Sequence, residues 1–205
     1  MQSSNGKCFG APTVMEKKAT KAAGLPTAPR QKFTSPLTTS RRDLLKGGSD
    51  DWMRDTIYRL VQALSRLIAC REAFGRQLGL TGSQFTVLIG VAYRQGDNGI
   101  AIAPLANHIG LASTHVTTEV GRLIRKGLLT KRPNSLDKRS VLITLSAKGE
   151  RAVRDVAPVV CSINDLLFKG IDRSQLEGVS MFASHLLQNS EYALSEISLI
   201  EARRA

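Results

Sequence analysis

The chain has 205 residues, of which 42% are hydrophobic and only 5% aromatic, so a packed core would consist mainly of aliphatic side chains. Its formal net charge of +12 is typical of a protein that binds nucleic acid, of one that lies on an anionic membrane surface, or of one with a basic disordered tail. No apolar run approaches the roughly 18 residues of a membrane-spanning helix, so we expect no membrane partner.

The three cysteines, Cys8, Cys70 and Cys161, have no paired spacing, which favours a reducing compartment over a disulfide-bonded scaffold. The stretch "SRRDLLKGG" at 40–48 resembles a twin-arginine export signal, but the polar run "SDDWMRD" follows it where such a signal needs a hydrophobic stretch. We therefore predict a cytoplasmic protein. Cys70 and Cys161 are interpreted as small buried hydrophobes, and Cys8 as incidental.

Residues 1–50 are rich in Ser, Thr, Pro, Gly, Ala and Lys and show neither helical nor strand periodicity. They carry nine basic and three acidic residues, so half of the net charge lies in a segment that can bury little apolar surface. This composition predicts a disordered tail. Two interpretations of the tail stay open: a non-specific DNA-contacting arm and a merely soluble extension.

Residues 51–205 are predicted to form the folded domain, which begins with a long helix over about 51–78. Ser49, Asp50 and Asp51 form a capping region that suits the positive end of the helix dipole. The apolar residues of this helix recur at steps of three and four; they are Trp52, Ile57, Leu60, Val61, Leu64, Leu67, Ile68 and Phe74.

Gly79 and the "LTGSQ" that follows it end the first helix, and a second helix comes next. Its inward residues are expected to be Phe85, Leu88, Ile89 and Val91. "RQGDNGI" at 94–100 is predicted to be a loop.

Residues 102–129 are predicted to form two short helices joined by a tight turn, which is a helix-turn-helix pattern. Gly110 ends the first helix, whose first turn tolerates Pro104, and Gly127 ends the second. The inward residues are Leu105, Ala106 and Ile109 on the first helix, and Val116, Val120, Leu123 and Ile124 on the second.

A β-hairpin is predicted directly after the helix-turn-helix, with strands at 128–132 and 140–145 and a polar, charged loop between them. Ser146 is a plausible N-cap for a long helix that continues to Leu167, and a last helix is predicted over about 174–201. The predicted fold is therefore mainly α with a small β-hairpin wing: a winged helix-turn-helix lobe at about 80–149, plus N-terminal and C-terminal helices.

The second helix of the helix-turn-helix presents polar side chains to its outer face. Exposed residues near the N-terminus of such a helix can reach base edges in the major groove, and short hydroxylated side chains permit a close approach. The alternative is an ordinary solvated helix face, and for His115 this is nearly as favourable. The candidate residues are Ser113, Thr114, His115, Thr117, Thr118, Arg122 and Arg125.

The hairpin shifts this balance towards DNA, because residues 112–140 hold seven basic and two acidic residues. An arginine on a narrow hairpin tip can enter the minor groove, where negative potential is concentrated. The tip carries Asp137, Lys138 and Arg139, and the Asp137 carboxylate could hold the Arg139 guanidinium in a bidentate pair. The alternative is an exposed ion pair that contributes about 0–1 kcal/mol.

Residues 104–149, "PLANHIGLASTHVTTEVGRLIRKGLLTKRPNSLDKRSVLITLSAKG", resemble the winged-helix core of MarR-type transcriptional regulators. The matching features are a recognition helix that ends at a glycine, Asp-x-Arg in the wing, and a strand that closes on Leu-Ser before a glycine; they lie at Gly127, Asp137, Arg139, Leu145, Ser146 and Gly149. "LTGSQFTVL" at 80–88 also resembles the segment that opens the preceding helix in that family.

This resemblance implies a homodimer with interlocking N-terminal and C-terminal helices that binds a pseudo-palindromic operator on double-stranded DNA, usually as a repressor. It makes Arg139 the minor-groove arginine and Asp137 its orienting carboxylate, with residues 113–118 in the major groove. It also implies release of DNA by a small aromatic or phenolic anion bound between the dimer helices and the lobe. Arg66 and Arg71 are possible partners for a carboxylate, and neither is assigned.

No enzyme, cofactor or metal site is expected. The three histidines, His108, His115 and His185, have no ligand spacing with cysteines or carboxylates, and neither a phosphate-binding loop nor a nucleophile elbow occurs. We expect His108 to pack or hydrogen-bond on the first short helix, and His185 to lie in the dimer region. The alternative function is a winged-helix protein–protein adaptor that does not bind specific DNA.

Overall fold

The computed structural model describes residues 33–135, 137 and 139–204. The predictions for residues 1–32, including Cys8, and for Lys138 lie outside the described residues. The chain divides between Trp52 and Met53 into two units.

Residues 33–50 of the first unit belong to the predicted tail and have defined local structure. A one-turn 3-10 helix spans Arg42–Leu44, and Lys46 forms a β-bridge with Ser49. The carboxylate of Asp50, which is 1% exposed, accepts hydrogen bonds from the backbone N–H and the hydroxyl of Thr38, each at 2.6 Å. Asp50 is therefore satisfied by local hydrogen bonds immediately before the first long helix.

The order of helices and strands agrees with the prediction of a mainly α fold with a small sheet. The helices are α1 (Asp51–Gln77), α2 (Gly82–Arg94), α3 (Ile102–Ile109), α4 (Ser113–Arg125), α5 (Ala147–Leu167) and α6 (Arg173–Ala202). The strands are β1 (Ile100–Ala101), β2 (Leu129–Pro133) and β3 (Val141–Leu145).

The sheet has three antiparallel strands in the order β1-β3-β2, so the predicted two-stranded hairpin was incomplete. Residue 100 was predicted to be loop, but Ile100 pairs with Ile143 of β3. The turn into β1 requires Gly99, whose φ is +75° and whose added Cβ would lie 2.9 Å from the Ile143 carbonyl oxygen. This strand fixes the base of the wing to the helices.

The core of the lobe lies where α2, α3 and α4 meet the sheet. Its fully buried helical side chains come largely from the predicted apolar stripes, because the 3–4 spacing brings them to one face of each helix; they include Leu88, Val91, Leu105, Val116 and Leu123. Val87 of α2, which was not predicted to face inward, and Ile143 of β3 are also fully buried. The outer face of α4 is thereby left to polar residues.

Side-chain caps begin α2, α5 and α6. Thr81 and Gln84 form a capping box at α2, and Ser146 accepts the Gly149 N–H at α5, as predicted for Ser146. Asp172 caps α6, and the Gln175 N–H and the Ser174 hydroxyl that donate to it hold the pKa of this carboxyl below its usual value.

The long helices leave much apolar surface uncovered. α6 has no buried residue, and the buried residues of α1 are Phe74 and Gly75, both near its C-terminal end. The large exposed hydrophobic residues of these two helices include Trp52, Ile57, Val61, Leu64, Ile68, Val179, Phe182, Leu186, Leu194 and Ile197. One chain alone does not cover these stripes.

The two described cysteines differ from each other. Cys70 is partly buried and packs against Phe74, Phe85 and Val156, in agreement with the prediction. The same prediction for Cys161 was wrong, because Cys161 is exposed in this chain and its thiol lies 3.9 Å from a carboxylate oxygen of Asp165.

Candidate nucleic-acid interface

The outer face of α4 is a row of exposed polar side chains, as predicted. The hydroxyls of Thr117 and Thr118 donate to the carbonyl oxygens of Ser113 and Thr114, at 2.8 and 3.1 Å. Each of these two hydroxyls therefore turns acceptor lone pairs outward, whereas His115, also exposed, offers a ring N–H. The N-terminal two turns of α4 can thus both donate to and accept from an external polar group.

The turn of the wing is held by hydrogen bonds to its own backbone. The Asp137 carboxylate accepts the backbone N–H of Arg139 at 3.0 Å, and the Asp137 carbonyl accepts the Ser140 N–H at 3.0 Å. Asn134 Nδ2 donates to the Ser140 hydroxyl at 2.9 Å. These bonds fix the shape of the tip on which Arg139 is exposed.

The predicted pairing of Asp137 with the Arg139 guanidinium was wrong in its geometry. The carboxylate of Asp137 bonds the main chain of Arg139, and within the described residues it forms no ion pair with the guanidinium. An aspartate two residues ahead readily forms such a local turn with the backbone. Asp137 therefore orients the peptide, and the guanidinium remains available.

The wing strands add positive charge beside α4. Lys131 and Arg132 are exposed on β2, and Arg132 Nη2 donates to the Asn98 carbonyl at 3.0 Å. Thr130 and Thr144 form a cross-strand hydroxyl pair at 2.8 Å. A basic wing and the polar face of α4 thus belong to the same small lobe.

The burial of one acidic residue of α4 was not predicted from the sequence. Glu119 is 2% exposed, and its Oε1 accepts a hydrogen bond from Arg122 Nη1 at 2.6 Å. Its position between Val116 and Val120 was the available signal, because a residue three positions after Val116 lies on the apolar face of the helix. Arg122 itself is exposed on the outer side, as predicted.

The end of α4 is tied to the beginning of α5 by three hydrogen bonds. The Ser146 N–H donates to the Leu128 carbonyl at 3.0 Å, and its hydroxyl donates to the Gly127 carbonyl at 2.6 Å. Lys148 Nζ donates to the Lys126 carbonyl at 3.0 Å. Gly149 permits this approach, since an added Cβ would lie 2.0 Å from the Leu128 carbonyl oxygen.

A cavity of about 420 Å³ lies between α1, α2, α3 and α5. Apolar side chains that include Phe85, Ile89 and Val160 form much of its wall. Its polar lining residues are Arg71, Thr86, Tyr93, His108, Cys161 and Asn164. His108, predicted to pack or hydrogen-bond on the first short helix, is exposed where it lines this cavity.

Among the described residues, no cluster of three or more His, Cys, Asp or Glu is placed to hold a metal ion. The helices in this part of the chain also include none that is both long enough and apolar enough to cross a bilayer.

Comparison with known proteins agrees with this geometry. Residues 71–156 match the family model for the transcriptional regulator SarA/Rot. The structure of AbsC, a MarR family transcriptional regulator from Streptomyces coelicolor, covers 70% of this chain and 95% of its own at 17% identity, with a TM-score of 0.57. The chain has the fold of the MarR-type regulators. The resemblance seen in the sequence is thereby confirmed.

Two further proteins are similar to this chain, one in structure and one in sequence. BpsR from Bordetella bronchiseptica, described as a protein whose DNA binding is regulated by 6-hydroxynicotinic acid, matches at 20% identity with a TM-score of 0.53, over 64% of this chain and 98% of BpsR. The transcriptional activatory protein BadR from Rhodopseudomonas palustris is 28% identical over 92 residues, or 45% of this chain. The chain spans about half (53%) of the length of BadR.

Proposed function

We propose that this chain is a sequence-specific regulator of transcription that binds double-stranded DNA as a homodimer. In this proposal it represses transcription from a pseudo-palindromic operator and is released by a small aromatic or phenolic ligand. The observation that carries the proposal is the exposed polar face of α4 beside a cationic wing whose tip presents Arg139. A helix of this kind fits the major groove, and an exposed arginine fits the minor groove.

The proposed DNA contacts follow the lobe. Ser113, Thr114, His115, Thr117 and Thr118 face the bases and the neighbouring phosphates in the major groove, and Arg122 adds a cationic contact from the same helix. Asp137 shapes the wing and Arg139 enters the minor groove. Lys138, which lies between them in the sequence, contributes a further positive charge.

The homodimer is supported by the uncovered apolar stripes of α1 and α6. A second copy of the chain can cover the same stripes reciprocally across a twofold axis. Such a dimer is expected to place its two α4 helices about 34–36 Å apart, one turn of the DNA helix. The stripes are long, as a stable interface between two chains requires.

A salt titration of DNA binding tests the proposed function. Two lobes that make six to ten phosphate contacts in total should lose about 10³–10⁵ in affinity between 50 and 200 mM salt. The measurement compares fluorescence anisotropy of a random duplex with that of genomic fragments which the purified protein retains. A salt-insensitive interaction without preference for any fragment would instead favour the winged-helix adaptor. Expression of a reporter behind the retained fragment then distinguishes repression from activation, the role named for BadR.

The cavity beside α5 is the proposed effector site. Its apolar wall suits an aromatic ring, and Arg71 and His108 can receive a carboxylate or a phenolate. The ligand named for BpsR, a hydroxylated aromatic acid, has this chemistry. Coupling of about 1–3 kcal/mol between this site and DNA would change operator affinity roughly 5- to 150-fold.

Arg71→Ala is expected to abolish the thermal stabilisation that aromatic carboxylates confer, because Arg71 lines the cavity. Arg66→Ala is the matched control: Arg66 is an exposed arginine on the same helix and is not among the cavity residues. The measurement is the shift in Tm with benzoate and 6-hydroxynicotinate as probes. Equal shifts in both variants would remove Arg71 from the proposed site.

A further inference from the structure

Glu119 is a buried acid on a helix whose outer face is proposed to meet a polyanion. Its side chain is 3% exposed, and one oxygen, Oε1, is bonded to Arg122 Nη1 at 2.6 Å. The other oxygen, Oε2, is buried and has no hydrogen-bond partner among the residues that the structure describes. A buried carboxylate that is only half satisfied costs free energy, and an apolar side chain between Val116 and Val120 would avoid that cost. Packing of the lobe therefore does not account for a glutamate here.

What the carboxylate does is restrain Arg122. Arg122 lies one turn after Glu119, and its side chain is 49% exposed. One nitrogen, Nη1, faces the buried oxygen, while a guanidinium has five N–H donors in all, so Nε and Nη2 remain for an external acceptor. Because the partner oxygen is fixed in the core, the arginine is held in one orientation at the surface.

We propose that Glu119 is a positioning residue for DNA binding, which holds Arg122 so that its free N–H groups meet a backbone phosphate. The inference rests on the proposed DNA-binding function. A phosphate is favoured over a base edge because Arg122 lies in the last turn of α4, whereas base contacts come from the N-terminal residues of a recognition helix. A guanidinium also matches two phosphate oxygens in a bidentate geometry.

Electrostatics alone and positioning predict opposite results when Glu119 is neutralised. A negative charge near DNA opposes binding, so on charge alone its removal should tighten the complex. If Glu119 instead prepares Arg122, its removal leaves a mobile arginine that must be ordered on binding. Ordering such a side chain lowers affinity by about 2- to 10-fold.

The test measures the Kd of the full chain for its retained genomic fragment at fixed salt, with Glu119→Met and Arg122→Ala alone and combined. Glu119→Met fills the space without charge, and we expect it to bind about 2- to 10-fold more weakly than wild type with an unchanged or raised Tm. Arg122→Ala should weaken binding to all duplexes alike and reduce the salt slope by about one. In the Arg122→Ala background, Glu119→Met should have no further effect.

Two further variants sharpen the comparison. Glu119→Gln keeps an oxygen for Arg122 and should lose less affinity than Glu119→Met. Glu150→Gln is the matched control for charge, because Glu150 forms an exposed pair with Arg154 on α5, at 3.4 Å, and is outside the proposed interface. It should leave the Kd near that of wild type.

DNA binding by Glu119→Met that is as tight as wild type, or tighter, would overturn the positioning role. The same conclusion would follow if Glu119→Met lost as much DNA affinity in the Arg122→Ala background as it does alone, because Glu119 would then act through the fold and not through Arg122. An Arg122→Ala variant with wild-type affinity would also overturn this role. Failure of the proposed function is a separate result: in that case the wild-type protein itself binds neither the retained fragment nor random duplex.

Discussion

Arg139→Ala is expected to weaken operator binding by about 1–3 kcal/mol, or roughly 5- to 150-fold in Kd, with almost no change in Tm. The turn of the wing is held by the backbone N–H of Arg139, which donates to Asp137 at 3.0 Å and is retained in alanine. The substitution therefore removes the exposed guanidinium and leaves the shape of the tip intact. The proposed minor-groove contact depends on that positive group, because negative potential is concentrated in a narrow groove.

Anisotropy titrations at constant salt, with thermal unfolding measured in parallel, check this expectation. Arg154→Ala is the control: it removes one positive charge from an exposed site on α5, and so reports the general effect of net charge. If Arg139→Ala, like Arg154→Ala, binds DNA with the affinity of the wild type, then Arg139 has no part in DNA binding. Asp137→Ala should also weaken binding, through loss of the turn.

Leu186→Asp is expected to convert the proposed dimer into a monomer and to reduce operator affinity about 10²- to 10⁴-fold. Leu186 is one of the exposed apolar residues of α6, a helix with no buried residue in the single chain. A carboxylate at this position would be buried without a partner in the dimer, which is strongly unfavourable. The monomer would then hold a single half-site, without the gain in effective concentration that a linked second lobe provides.

Sedimentation or light scattering gives the oligomeric state, and the same DNA titration gives the affinity. Gln188→Asp adds the same charge to the same helix two residues further on, a position about 200° around the axis from Leu186. It should remain dimeric. A dimeric Leu186→Asp variant would show that another surface joins the two chains, or that none of α6 does.

Local signals explain why so much of the fold was predictable. The stripes on α2, α3 and α4 have the 3–4 spacing of a helix packed on one side, and glycines with positive φ, Gly110 and Gly127, follow the two short helices where the pattern stops. Ser146 caps α5 because a hydroxyl there can accept the Gly149 N–H. Each of these features is decided within a few residues of the chain.

The errors have non-local causes. Strand β1 is two residues long, too short for any alternation, and it exists because Ile100 meets Ile143, which is far along the chain. The spacing of Glu119 from Val116 and Val120 indicated burial, but a charged residue is usually exposed, so Glu119 was not predicted to be buried. Cys161 and His108 depend on how α5 and α3 face the cavity, and a single sequence does not record that orientation.

The proposed DNA-binding and effector sites could be predicted only in part, because some of their features also depend on non-local contacts. The polar face of α4 follows from the apolar stripe opposite it, so periodicity predicted which side chains are exposed there; they are Ser113, Thr114, His115, Thr117, Thr118 and Arg122. The hydrogen bond of Asp137 to the main chain could not be predicted, because its carboxylate can reach either the main chain or the guanidinium of Arg139 from the same position in the sequence. The cavity is assembled from four helices, and its residues share no motif.

The hydrogen bonds from Ser146 and Lys148 to the carbonyls that follow α4 have a mechanical consequence. They hold the end of α4 firmly against the first turn of α5, and α5 also forms a wall of the cavity. In the proposed twofold dimer, a change in the tilt of α5 would therefore be expected to change the separation of the two α4 helices. A molecule bound in the cavity against α5 would then change the half-site spacing that the protein accepts, without contacting the DNA.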